Sequence, residues 1–178
     1  MKKSPDLTPD ERDCWRTPLY LYQALDRMFN FGLDICATKA NALHPNFIDE
    51  KKNALQVDWR DYIEKGKHWG FCNPPYSKCR FFTAKAREMA MKGIGCVMLV
   101  NNCTDTEWFQ ESGATTTQLL KGRIRFLHPV TGKEGGSPSR GNALLIYQPY
   151  MVRTVTQVSY MDLDFYKTLG GYYDGKNR

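Results

Sequence analysis

Trp69-Gly70-Phe71-Cys72-Asn73-Pro74-Pro75-Tyr76 reads as a short apolar strand stopped by a rigid turn. Two consecutive prolines fix φ at both positions and remove two N–H donors, so no strand ladder continues past Cys72. The turn therefore lies at the carboxyl edge of its strand, where open α/β sheets bind ligands. There an Asn amide oxygen, stiff main-chain carbonyls and an aromatic ring form a receptor for a planar amino group. The plainer alternative is a Pro-Pro loop with an incidental Tyr, and the apolar strand directly before the tetrapeptide disfavours it.

The flanking sequence supplies a sheet for this strand. Upstream, Thr17-Pro18 reads as a helix start, with Thr as N-cap and Pro at the first helical position. Leu19, Leu21, Tyr22, Leu25, Met28 and Phe29 follow at helical spacing. Phe31-Gly32-Leu33-Asp34-Ile35-Cys36-Ala37 predicts a buried strand ending in a loop, and residues 38–56 are irregular, with His44-Pro45-Asn46-Phe47 a turn or short strand. Downstream, Phe81, Phe82, Ala84, Ala86, Met89 and Ala90 define an amphipathic helix ended by Gly93, and residues 94–100 form the strongest strand pattern. A helix over Asp105–Ser112 capped by Thr104, strand pieces at 118–120 and 124–127, a mobile glycine-rich loop at 129–141 and a last strand at 143–147 complete the reading. Strands separated by helices imply an α/β sheet with helices on both faces.

The chain has 178 residues, enough for one ordinary domain, with a net charge of +6 and a pI near 9.0. That balance favours an acidic partner such as nucleic acid. The positive excess lies in two blocks, residues 65–92 and 121–178. Each is either a solvated face or a phosphate-facing rim. The six cysteines include no Cys-x-x-Cys pair, and His44, His68 and His128 lack ligand spacing. Reduced, mostly buried thiols and no metal site are expected. No apolar run approaches a membrane span, and the opening Met1-Lys2-Lys3-Ser4-Pro5-Asp6 lacks the apolar stretch of a secretory signal. The expectation is a soluble cytoplasmic protein with a mobile lead-in over residues 1–12.

Asn-Pro-Pro-Tyr is similar to the catalytic motif of amino-group methyltransferases that use S-adenosyl-L-methionine. More of the chain resembles the phage-type DNA N6-adenine methyltransferase (Dam) family. The features shared are Trp15-x-Thr17-Pro18, Leu33-Asp34-Ile35-Cys36-Ala37, Asn41-Ala42, Asp58-Trp59, Phe71 to Ser77, Val97-Met98-Leu99, Trp108-Phe109 and Gly122-Arg123-Ile124-Arg125-Phe126. In order and spacing they span about residues 13–148. The resemblance implies a Rossmann-like catalytic domain over 13–150 followed by a basic extension over 151–178, in the cytoplasm of a phage-infected or prophage-bearing bacterium.

It also implies roles. The adenine N6 would donate to the Asn73 side-chain oxygen and the Pro74 carbonyl, with Pro75 stiffening the turn and Tyr76 stacking on a base flipped from duplex DNA. Trp15, Thr17 and Pro18 match the segment that holds the methionine end of the cofactor, and Asp34 with Cys36 stands where the family places its first cofactor motif, here without Gly-x-Gly. Asp58 and Trp59 would meet the cofactor's adenine. Asp49 is a weaker candidate for the ribose hydroxyls. Lys78, Arg80, Arg123, Arg125, Lys133 and Arg140 would face DNA, Arg123 and Arg125 alternating along a strand. The length leaves no room for a separate target-recognition domain, so loops such as 101–117 and 128–142, the tail or a dimer would read sequence. The family name suggests GATC.

Three readings stay open. The first is adenine-N6 methylation of double-stranded DNA by a monomer or homodimer. The second is the same chemistry on cytosine N4, RNA or protein glutamine, although cytosine-N4 enzymes more often carry Ser at the place of Asn73. The third is a catalytically silent basic DNA-binding module.

Overall fold

A computed structural model of the protein describes residues 15–136, 138–151 and 155–172. The lead-in, Cys14 and several cations of the basic tail fall outside these residues. The elements are α1 (Leu19–Phe29), β1 (Phe31–Asp34), β2 (Trp69–Cys72), α2 (Cys79–Met91), β3 (Gly95–Asn101), α3 (Glu107–Gln110), β4 (Thr116–Lys121), β5 (Asn142–Tyr147), β6 (Gln157–Asp162) and α4 (Leu163–Leu169). The strands form one mixed sheet in the order β1-β2-β3-β5-β4-β6. β5 is antiparallel to both its neighbours and the remaining pairings are parallel.

The α/β expectation holds, with a core on each face. Successive strand residues point to opposite sides of a sheet. Phe71, Val97, Leu99, Leu144 and Ile146 pack with Leu21, Leu25 and Tyr166 of α1 and α4. Cys72, Cys96, Met98, Val100, Leu145 and Tyr147 pack with Phe82, Ala86 and Met89 of α2 on the other side. A fully buried Leu or Phe contributes about 1.5–3 kcal/mol, so each layer is fastened mainly by its apolar residues. No disulfide joins the five described cysteines, and Cys72, Cys96 and Cys103 are buried within the apolar core.

Several local expectations are corrected. Pro18, not Thr17, is the N-cap of α1, with φ −60° and ψ 138°, and no side chain caps the helix. Thr17 is drawn into the interior and is 5% exposed. The helix expected from Asp105 is only the short α3, preceded by Thr106 rather than Thr104. The Thr106 hydroxyl donates backward to the Cys103 carbonyl, keeping the preceding residues in a turn. Residues 124–127 do not form a strand in the sheet, because Gly122 at φ +108° turns the chain away after β4. Burial still alternates there: Arg123 and Arg125 are exposed while Ile124 and Phe126 are buried.

Nor is the glycine-rich segment a plain loop. Leu127 bridges antiparallel to Glu134 on one side and to Arg16 on the other. The bonds His128 N–H to Lys133 O and Gly135 N–H to Phe126 O make a small hairpin. Beyond Tyr147, where no element was expected, β6 extends the sheet alongside β4 and α4 packs on α1.

Candidate active site at the carboxyl edge

β2 ends at Cys72, and Asn73 to Tyr76 form the turn as expected. Pro75 precedes a single 3-10 turn, Tyr76–Lys78, that leads into α2, and its carbonyl accepts Lys78 N–H at 2.8 Å. Asn73 follows Phe71 in alternation, so it lies on the α1 side of the sheet, and its Nδ2 donates to the Trp15 carbonyl at 3.3 Å. A carbonyl only accepts, so this bond orients the amide with NH2 on Trp15 and leaves Oδ1 to face another donor. Pro74 is buried, while Tyr76 is half-buried and packs at the margin of the α2-side core.

On the next two strands, Asn101 at the end of β3 and Asn142 at the start of β5 stand opposite each other. Asn142 is 1% exposed, and its Oδ1 is without a partner among the described residues, as is the Oδ1 of Asn102. The hydroxyl of Tyr22 in α1 is likewise buried and unpartnered. Buried polar atoms are rarely left unsatisfied, so these are polar groups for which protein partners alone do not account. Sequence reasoning passed over Asn101 and Asn102. The signal was the one that marked Asn73, an Asn ending a long apolar run.

Asp34 ends β1 on the same rim. It is 3% exposed and accepts Leu43 N–H at 3.0 Å, with a second backbone donor from Cys36. Burial raises its carboxyl to about 6, against the downward pull of those two bonds. In place of a Gly-x-Gly turn, the loop after β1 is thus tied by side-chain acceptors, Asp34 at one end and Asn41 Oδ1 on Thr38 N–H at 2.6 Å in the middle. Asp34 N–H donates to Asn46 O and Ile48 N–H to Asp34 O, which lays residues 46–48 along the outer edge of β1. Asp49 follows directly, and its Oδ1 accepts Lys52 N–H at 3.0 Å in the next turn.

Asp58 and Trp59 are not brought to this rim. Asp58 binds Arg60 at 2.7 Å and Lys92 at 3.3 Å. Lys92 follows the last turn of α2, just before β3 begins beside His68, which is the amino edge of the sheet. The Asp58 carboxyl is held well below the usual range, chiefly by Arg60. Trp59 is fully buried, its indole N–H donating to Ala54 O at 2.8 Å. An Asp-Trp pair in sequence carries no mark of the edge it will reach, and here the structure gives it to the core and an ion cluster.

All six expected DNA-facing cations, Lys78, Arg80, Arg123, Arg125, Lys133 and Arg140, are exposed. Lys78 and Arg80 follow the Asn-Pro-Pro-Tyr turn, and the other four lie in the segment between β4 and β5, which leaves and re-enters at the carboxyl edge. Lys85 and Lys92, farther along α2, are paired with Glu88 and Asp58. Within the positive block at 65–92, Lys78 and Arg80 at the turn carry no ion pair among the described residues, nor do Lys65 and Lys67 before β2 or Arg87 in α2. Arg125 approaches Glu134 of the hairpin at 3.8 Å, and Arg140 Nη1 lies 3.3 Å from Cys103 Sγ. Among the described residues no group of three or more His, Cys, Asp or Glu side chains could hold a metal. No helix among them is long and apolar enough to cross a membrane.

This sheet order, with an amide-bearing turn at the carboxyl edge, is that of a Rossmann-like methyltransferase domain. A family model described as DNA N-6-adenine-methyltransferase (Dam) matches residues 4–171, and the chain belongs to that family. It is similar to two phage proteins that carry the family's name. The one from Haemophilus phage HP1 is 28% identical over 166 residues, covering 90% of this chain and 92% of the relative. The one from Escherichia phage T1 is 27% identical over 176 residues, covering 88% and 71%. The family's activity is adenine-specific DNA methylation.

Proposed function

We propose that the protein methylates the exocyclic N6 of adenine in double-stranded DNA with S-adenosyl-L-methionine as donor, acting on a base flipped out of the helix. The observation that carries this reading is the orientation of Asn73: its NH2 is committed to Trp15, so Oδ1 is the atom offered to an incoming amine. Asn73 Oδ1 and the Pro74 carbonyl accept from the two N6 hydrogens. Those bonds draw the nitrogen lone pair out of ring conjugation and fix its direction, so positioning and electrostatics supply the rate. Tyr76 gives the ring a stacking surface, and Pro75 keeps the turn from flexing.

The rim also suits the donor. The sulfonium compound is cationic at sulfur and at its amino group and carries a ribose diol, and it supplies an electrophilic methyl. Asp34, near Cys36, offers carboxylate to such groups, while Thr17 and Pro18 border the α1 side. The orphaned Tyr22 hydroxyl is a further polar group on that side. Lys78, Arg80, Arg123, Lys133 and Arg140 neutralise phosphates around the opening.

The test is transfer of tritium from labelled S-adenosyl-L-methionine to duplex DNA, followed by nucleoside analysis. N6-methyladenine is expected, and Asn73→Ala should lower the rate by about 10²–10³ while DNA binding persists. Label in N4-methylcytosine, in RNA or nowhere, or an unchanged rate in the variant, overturns the reading. Cleavage protection at GATC against other adenine-containing sites tests the proposed recognition sequence.

A further inference from the structure

Trp15 was expected at the cofactor, and its polar and aromatic contacts run to the Asn73 turn and to the hairpin. Its carbonyl holds the Asn73 amide at 3.3 Å. Its indole meets His128 edge-on, with centroids 5.4 Å apart. It also lies over Gly135, where an added Cβ would come within 2.5 Å of the ring. Both residues belong to the hairpin between β4 and β5, and the next residue, Arg16, exchanges two 2.9 Å backbone bonds with Leu127 of the same hairpin. His128 is fixed in turn: its Nδ1 accepts Val130 N–H at 3.2 Å and Thr131 N–H at 3.3 Å.

We infer that Trp15 is a positioning residue, clamping the Asn73 amide in its acceptor orientation and linking it to the hairpin that carries Lys133. The inference rests on the reading of Asn73 as the acceptor for the target amine. Its physical basis is that an Asn side chain alone rotates about χ2 with little bias, so its oxygen would face the substrate only part of the time. One bond to a carbonyl removes that freedom, provided the carbonyl itself is held. The backbone at Arg16 and the ring at Trp15 hold it from both sides, and both restraints come from the hairpin. Gly135 is the residue that lets the indole lie flat enough to do so. A ligand that moves the hairpin thereby acts on the catalytic amide without touching it.

The experiment compares Trp15→Ala, Trp15→Phe and Gly135→Ala with wild type and Asn73→Ala, measuring kcat, KM for duplex DNA, and donor affinity by equilibrium binding. Trp15→Ala should lower kcat about 100-fold, the scale of a small misplacement at a reacting centre, with donor and DNA affinities unchanged. Trp15→Phe should recover most of the loss, since an aromatic ring again packs on Gly135 and His128. Gly135→Ala, which displaces the indole from a distance, should lower kcat in the same way, and it carries the test if Trp15→Ala does not fold. Loss of donor affinity with kcat preserved at saturation would overturn the inference in favour of a cofactor role. So would wild-type kcat in Gly135→Ala. An Asn73→Ala variant with wild-type activity would instead sink the reading of Asn73 itself, and the two failures are thus distinguishable.

Discussion

The carboxylate of Asp34 accepts the backbone N–H of Leu43 at 3.0 Å, nine residues ahead in the chain. A buried acid closes the loop that follows the first strand, and its proton affinity is therefore part of the stability of that loop.

The pH dependence follows from the raised carboxyl. The unfolded reference is 3.8 and the folded value about 6, because burial disfavours the charge more than two backbone donors favour it. Between these values the native chain binds the proton that the unfolded chain has released, so stability from this group falls as pH rises through the window and is level above it. Asp34→Asn removes the titration. Urea melts should show wild type losing up to roughly 3 kcal/mol relative to the variant between about pH 4 and 7. Parallel profiles for the two proteins would mean that Asp34 does not titrate there.

Asn73→Asp is close to isosteric but cannot donate to Trp15. It sets a carboxylate oxygen against a carbonyl where a 3.3 Å hydrogen bond stood. The rate should fall about 10- to 100-fold, the kinetic equivalent of leaving one buried partner unsatisfied. Wild-type turnover in the variant would show that the amide donor is dispensable.

Lys78 follows the Asn73–Tyr76 turn and Arg123 follows β4, and both are exposed. Each Ala substitution should weaken binding to any duplex by a similar factor and reduce the slope of log affinity against log salt by about 1. Discrimination between sites should be unaffected. A variant whose slope matches wild type removes that residue from the phosphate contacts.

Gly170 ends α4 against the first turn of α1, and a Cβ there would come within 1.9 Å of the Tyr20 carbonyl. Gly170→Ala should cost about 1–3 kcal/mol, the range for overpacking a tight contact. Thermal melts with methyl transfer measured below the transition would show a lower Tm with near-normal activity. An unchanged Tm would mean that the α1–α4 contact yields freely.

The strands that carry the site were legible because they are continuous apolar runs: Trp69–Cys72 agrees with the structure residue for residue, and the pattern at 94–100 is displaced by one. The turn at Asn73 was legible because two prolines dictate backbone geometry locally. β6 was not, since Gln157 to Asp162 lies at an edge, mostly exposed, and is a strand because β4 is available to pair with it. Asp58 and Asp49 show the same limit in the site. Both are acids near aromatic residues, and only the path of the chain sends one to the amino edge and the other to a turn where it accepts Lys52 N–H. The hairpin and its grip on Trp15 join residues more than a hundred positions apart, which no local pattern encodes.

The reversed β5 has an evolutionary consequence. Because β4 runs to the carboxyl rim and β5 starts from it, residues 122–141 depart and return on the same side, and no strand needs to shift if their number changes. Doubling such a segment adds only about 0.6 kcal/mol of closure entropy. Length can accordingly be added beyond residue 135 like a longer tool head, while residues 126–135, which hold Trp15, stay with the sheet and its acceptor turn as the handle.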